Sequence, residues 1–187
     1  MLNTFVVYVE NKPGVLTRVA TLFRRRAFNI DSLTVGRTEK PEVSRMTIVV
    51  DADHDQALRV EANLYKLVNV LYVENITGKS AITRDLAMIK VAATHGTRSH
   101  VLELANVFRA RIVDVGPESL TIEITGPEAK IDGILEVLRP YGILEMVRTG
   151  VVAMRRGAKS EVINLPASSG NGAEQPPAPD DNVSYSV

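Results

Sequence analysis

The residues best placed to do chemistry stand together near the start of the chain, as Asn11-Lys12-Pro13-Gly14-Val15-Leu16. An apolar, β-branched run from Leu2 to Val9 leads into them, and an amphipathic stretch from Val15 to Ala27 follows. Pro13 fixes φ where a helix begins and gives up an amide that would be unpaired there. Gly14 has no Cβ, so another backbone or a small ligand can come close. The amides of Val15 and Leu16 lack intrahelical acceptors and sit at the positive end of the helix dipole. Asn11 brings a donor and an acceptor beside them. Such a corner can hold a small carboxylate. We read it as a site for an amino acid that acts as an effector and not as a substrate. A Pro-Gly turn before a helix is also an ordinary turn, and short motifs predict sites loosely. The rest of the chain has to decide between the two.

Few other residues offer chemistry. With no cysteine, disulfides, thiol nucleophiles and thiolate metal sites are excluded. The three histidines, His54, His95 and His100, lack metal-ligand spacing and read as surface residues. Asp51, Asp53 and Asp55 cluster at a strand–helix turn, where a hydrated helix N-terminus explains them without a metal. Nucleophile-elbow, phosphate-loop, dinucleotide-fold and metalloprotease motifs are all missing. Catalysis by this chain alone finds no support.

The elements that must position the corner follow from the apolar pattern. Strands are predicted at Leu2 to Val9, Asn29 to Thr38, Val43 to Ala52 and Val70 to Thr77, with helices at Val15 to Ala27 and His54 to Leu67. Asp53 is the predicted N-cap of the second helix. The order β-α-β-β-α-β is that of a ferredoxin-like plait, two helices on one face of an antiparallel sheet. A module of this size needs cover for its other face or its edge, and pairing with a second copy would supply it.

After a linker, Gly78 to Arg84, the pattern repeats. Strands are predicted at Leu86 to Ala93, Arg111 to Val115, Leu120 to Gly126 and within Ile143 to Met154, with helices at Ser99 to Arg109 and Pro127 to Leu138. Residues 19–26, VATLFRRR, echo residues 104–111, LANVFRAR. The second copy has His95-Gly96-Thr97-Arg98 where the special corner would fall, so we read it as a coupling or docking domain. The organisation is therefore α+β, with modules at 1–78 and 79–158. A tail over 159–187, rich in Ser, Gly, Pro and acid, is expected to lack fixed structure.

The chain of 187 residues is formally neutral and 45% hydrophobic, as suits one or two globular domains. Four carboxylates against one lysine fall from Gly157 onward, leaving the remainder weakly basic. That is too little to argue for nucleic acid. Arg24-Arg25-Arg26 reads as the solvated end of a helix, with a docking patch for a partner protein as the alternative. No apolar run is long enough for a bilayer span, and no signal or transit pattern is evident. The expected location is cytoplasmic, with plastid or mitochondrion the alternative for a eukaryotic source.

ENKPGVLTRVATLFRRRAFNIDSL, followed by SRMTIVV and LVNVLYVENIT, resembles the regulatory (small) subunits of acetolactate synthase, or acetohydroxyacid synthase. The combination is specific: Asn-x-Pro-Gly-Val-Leu, then Arg26-Ala27-Phe28-Asn29-Ile30-Asp31-Ser32-Leu33. The likeness runs from about residue 2 to 156. It implies that the first module is an ACT domain that pairs with a second copy and binds valine or a related branched-chain amino acid at the interface. Asn11, Gly14, Val15 and Leu16 match the family's ligand-binding turn, and Asn29 and Ile30 match the segment donated by the neighbouring chain. It also implies a catalytic large subunit, carrying thiamine diphosphate, Mg2+ and FAD, that this chain would activate and make sensitive to valine. A free-standing ACT sensor acting on another enzyme or a transcription factor is the rival. An RNA-binding plait fails for want of stacked aromatics on the central strands.

Overall fold

β1 (Leu2–Glu10) can run through the middle of a sheet because both of its faces find cover: Phe5, Val7 and Val9 are buried on one side and Val6 on the other. The computed structural model describes residues 1–157, so the tail that was expected to lack structure lies outside the described residues. The first module continues with α1 (Val15–Arg25), β2 (Ile30–Arg37), β3 (Val43–Asp51), α2 (His54–Leu64) and β4 (Val70–Asn75). The second contains β5 (Ala81–Ala92), α3 (Arg98–Val107), β6 (Arg111–Val115), β7 (Ser119–Gly126), α4 (Glu128–Leu138), β8 (Ile143–Arg148) and β9 (Val152–Arg155). The antiparallel sheets have the orders β2-β3-β1-β4 and β6-β7-β5-β8. This is the predicted α+β architecture of two βαββαβ modules.

Each core is a sheet face packed on two helices. Phe5, Val7, Met46, Ile48 and Val50 receive Val19 and Phe23 of α1 and Val60 and Leu64 of α2. Ile89, Val91, Leu120 and Ile122 receive Val101 of α3 and Ile131 and Ile134 of α4. The Asp53 cap is present as a full capping box. Its carboxylate accepts from the Gln56 amide at 2.7 Å, and the Gln56 side chain accepts from the Asp53 amide at 3.0 Å.

The differences from the predicted bounds have local causes. α1 ends at Arg25 because Ala27 takes a left-handed φ of 56°, which turns the chain so that the Phe28 amide bonds the Phe23 carbonyl at 3.1 Å. α3 closes the same way, with Arg109 at φ 51° and the Ala110 amide on the Ala105 carbonyl at 2.8 Å. The fold therefore repeats, but not in the register of the sequence echo. Hydrogen bonds match Ala27 to Arg109, whereas the echo would match Phe23 to Phe108.

The predicted linker is shorter than its composition suggests. Ala81–Arg84 belongs to β5 and pairs with β9, which is separated from β8 by Gly150 at φ 84°. This ribbon lies on the outer face of the first sheet, where Val6, Ile76 and Ala153 are buried together. The Arg45 guanidinium donates to the Ala153 carbonyl, and Arg155 pairs with Glu74 at 3.0 Å. Cover for that face thus comes partly from the same chain, and β2 is left as an outer strand.

A buried ion pair holds the crossing point. Asp85, 2% exposed, takes two short contacts from Arg148, 2.7 Å from Nε and 2.6 Å from Nη2, and a third bond from the Thr149 hydroxyl at 3.2 Å. Burial lowers the Arg148 pKa, but the bond and charge of Asp85, with the charges of Asp132 and Glu128, outweigh it, and the net shift is upward. From there the chain reaches β2: the Val151 amide donates to Ser32 Oγ at 3.0 Å, and Thr34 Oγ1 donates to the Thr149 carbonyl at 3.2 Å. Replacing Arg148 by Met should leave a buried carboxylate without its cation. The expected cost is about 3–5 kcal/mol, read as a lower urea midpoint at neutral pH.

Candidate effector site at the first strand–helix corner

The end of β1 is fixed from both sides before the corner begins. The Glu10 amide bonds the Asn69 carbonyl at 2.9 Å, and the Asn11 amide bonds the Glu42 carbonyl at 2.7 Å. Asn11 Nδ2 adds a bond to the Pro41 carbonyl at 2.8 Å, so half of this carboxamide anchors the corner to the β2–β3 hairpin. Its Oδ1 remains available as an acceptor. Pro13 precedes the helix and does not open it. Gly14 is the N-cap, at φ 81°, a left-handed conformation that side chains with a Cβ rarely adopt. A Cβ built there would meet nothing within 4 Å, so the space above Gly14 is open.

The helix amides divide unequally. The Val15 amide makes a long bond of 3.4 Å to the Lys12 carbonyl. Those of Leu16 and Thr17 have no acceptor among the described residues, so they are the free donors at the positive end of α1. Val15 is buried and anchors the helix, whereas Leu16 is 45% exposed. Val35, on the helix-bearing face of β2, is 43% exposed. An acceptor, two amides and exposed aliphatic carbon together suit a small zwitterion with an apolar side chain.

Asn29 and Ile30 lie elsewhere in the same protomer. Ile30 pairs with Val50, which pairs with Asn3, at the opposite end of β1 from Glu10. At about 3.3 Å per residue, roughly 23 Å of strand separates the two ends. Asn29 is exposed and Ile30 packs partly against the core. The sequence-predicted residues therefore form two groups: Asn11, Gly14, Val15 and Leu16 at one end of the sheet, Asn29 and Ile30 at the other.

Sequence reasoning missed the network that steadies the corner. Asn69 Nδ2 donates to the Glu10 carboxylate at 2.5 Å, and Asn69 Oδ1 accepts from Arg18 at 2.5 Å. Lys12 pairs with Glu10 at 3.2 Å. The Asn69 bond, then Lys12, lowers the Glu10 pKa below its ordinary value of 4.5. Only the position of Glu10 next to the motif hinted at this, because Asn69 arrives from the far side of α2. Away from the corner, no group of three or more potential metal-ligating side chains occurs among the described residues. Nor is any described helix long and apolar enough to cross a membrane.

The two sheets match known protein families in turn. Residues 5–72 match the AHAS small subunit-like ACT domain, which makes the first module one of the ACT class. Residues 84–157 match the family described as small subunit of acetolactate synthase. The chain is 52% identical over 159 residues to a probable acetolactate synthase small subunit of Archaeoglobus fulgidus, covering 85% of this chain and 99% of that protein. It is 50% identical over 157 residues to the acetolactate synthase small subunit of Mycobacterium leprae, covering 84% and 93%. The crystal structure of an acetolactate synthase small subunit from Thermotoga maritima superposes with a TM-score of 0.79 at 38% identity, over 84% of this chain and 98% of that one. The chain belongs to the acetolactate synthase small-subunit family.

A lowered carboxylate pKa stabilises the fold above the ordinary range, and that contribution is lost as pH falls through the lowered value. Glu10→Gln should therefore cost stability by a constant amount above about pH 5. The difference from wild type should shrink in more acidic solution, as read by urea unfolding across that range.

Proposed function

We propose that this chain is a non-catalytic regulatory subunit. In this reading it raises the activity of an acetolactate synthase large subunit and lets valine, or a related branched-chain amino acid, reduce it. The observation that carries the proposal is the register of the first sheet. β1 and β2 both pair antiparallel with β3, so they run parallel, and the Gly14 corner and Asn29 stand at opposite ends. β2 is an outer strand. If β2 of a second copy lies antiparallel beside it, the copy's Asn29 and Ile30 come level with Arg37, which shares a row with Ser44 and Val9 near the corner. Two-fold pairing is the usual form of such contacts.

In that pocket the effector's carboxylate meets the Leu16 and Thr17 amides, and its ammonium meets Asn11 Oδ1 and the partner's Asn29. Its aliphatic group lies against Leu16 and the partner's Ile30. Polar ends reject molecules that lack them, while one methylene between valine and isoleucine is worth about 1–3 kcal/mol. Valine reduces activity only by preferring one arrangement of the pair, and a coupling of about 1–3 kcal/mol is the usual scale. Thiamine diphosphate, Mg2+ and FAD belong to the large subunit in this reading.

The direct test is large-subunit activity with and without this chain, titrated with valine, leucine and isoleucine. Activation that one of them reverses is expected; no effect on any large subunit would favour a free-standing sensor. Gly14→Asp is tolerable in the backbone, since Asp visits the left-handed region more readily than most residues. It places a charge where the effector's carboxylate belongs. Activation should persist while valine inhibition fades. Asn29→Ala, at an exposed position, should change stability by less than about 0.5 kcal/mol and weaken valine binding in calorimetry. An unaltered affinity would remove Asn29 from the pocket.

A further inference from the structure

The groove between α1 and the chain that leaves α2 encloses about 420 Å³. Arg18, Arg25 and Arg26 line one side and Lys66 the other, with Leu22 and Leu67 half-buried between them and no carboxylate in the lining. None of the ion pairs among the described residues includes any of these four cations. Arg18 bonds the neutral Asn69 side chain and reaches the Glu10 carboxylate only through that amide, so it makes no direct ion pair. The dipoles of α1 and α2 favour cations at their C-terminal ends, where Arg25, Arg26 and Lys66 stand, but do not account for Arg18 in the first half of α1. The chain as a whole is neutral, so the concentration is local.

We propose that this groove docks an acidic segment of the catalytic partner, one that sets several carboxylates around an apolar side chain resting on Leu22 and Leu67. A protein segment suits it better than a small anion. All four cations are exposed and the groove is shallow, whereas small-molecule sites bury most of their ligand. A protein brings its own cover, and opposite charge at such a rim speeds association and selects the partner. The proposal rests on the reading that the chain serves a large subunit, and its test separates the two.

Association of the full chain with the large subunit is measured at rising NaCl for three proteins: wild type, Arg25→Glu/Arg26→Glu, and the control Arg139→Glu/Arg156→Glu, which makes the same change in net charge on the second module. The groove variant should bind about tenfold or more weaker at low salt, with a flattened salt dependence, and keep the wild-type circular dichroism and melting curve. The control should stay within about twofold. Equal binding by the folded groove variant, or equal loss in the control, would overturn the proposal. So would inorganic pyrophosphate that binds the wild type but not the groove variant while both bind the large subunit alike. Failure of wild type to associate at all would overturn the functional reading first, and the docking groove with it.

Discussion

The constraint from which the rest follows is that β1 and β2 are parallel, each bonded on one side to the antiparallel β3 between them. α1 has to carry the chain from the end of β1 back to the start of β2. The turn that opens α1 and the turn that closes it therefore sit at opposite ends of the sheet. No side-chain rotation can bring Asn29 to Gly14 within one protomer. A pocket that used both would need two chains, and its occupancy would be tied to how those chains pair. The same constraint leaves β2 on the outside with an edge to offer, while β1 is committed to β3 and β4.

The second module has the same scaffold with a different filling. The Ala93 amide bonds the Glu118 carbonyl and the Ala92 amide bonds the Gly142 carbonyl, as Asn11 and Glu10 bond Glu42 and Asn69. Where Asn11 Nδ2 reaches Pro41, the Arg98 guanidinium reaches Pro117, Gly116 at 2.7 Å and Ala93 at 3.2 Å. That cation occupies the corner and spends its donors on carbonyls of its own chain, while its Nε stays buried without a partner. The first-turn amides of α3, on Ser99 and His100, are as free as those of Leu16 and Thr17, but a guanidinium stands where Asn11 offers its acceptor, so the ammonium of a zwitterion would meet a like charge. The two modules share the strand–helix frame and differ in what stands in its mouth.

The legible parts of the chain were those in which cause and effect are close in sequence. The strand at Val43–Asp51 shows itself as a β-branched, apolar run, buried on both faces through most of its length, and Asp53 with Gln56 spells its own cap. The Pro-Gly pair announced the corner, although Pro13 lies before the helix and Gly14 is its left-handed cap. What could not be read depends on distant partners. Asn11 is anchored by Pro41, Glu10 by Asn69, and the strand at Ala81–Arg84 exists because β9 returns to pair with it. The echo between residues 19–26 and 104–111 misled in detail, since the turns that end the helices use Ala27 and Arg109, neither of them a glycine.

One chain segment links the two modules at the place where pairing would be felt. Thr149 and Val151 bond Thr34 and Ser32 of β2, and Thr149 and Arg148 bond the buried Asp85 of β5. Gly150 takes a left-handed φ of 84°, and a Cβ there would stand 2.5 Å from Ser32 Oγ, so that hydroxyl would have to turn away and give up its bond to the Val151 amide. Each neutral hydrogen bond is worth about 0.5–1.5 kcal/mol net, so the two to β2 together hold about 1–3 kcal/mol. That is the range within which coupling between separate sites usually falls. A shift of β2 large enough to break both bonds would change the footing of the second module by that amount. A smaller shift would be absorbed in the rotamers of Ser32 and Thr34, because hydroxyls reorient at little cost. If β2 pairs with a second copy as proposed, only a change of that pairing large enough to break both bonds would reach the second module through this link.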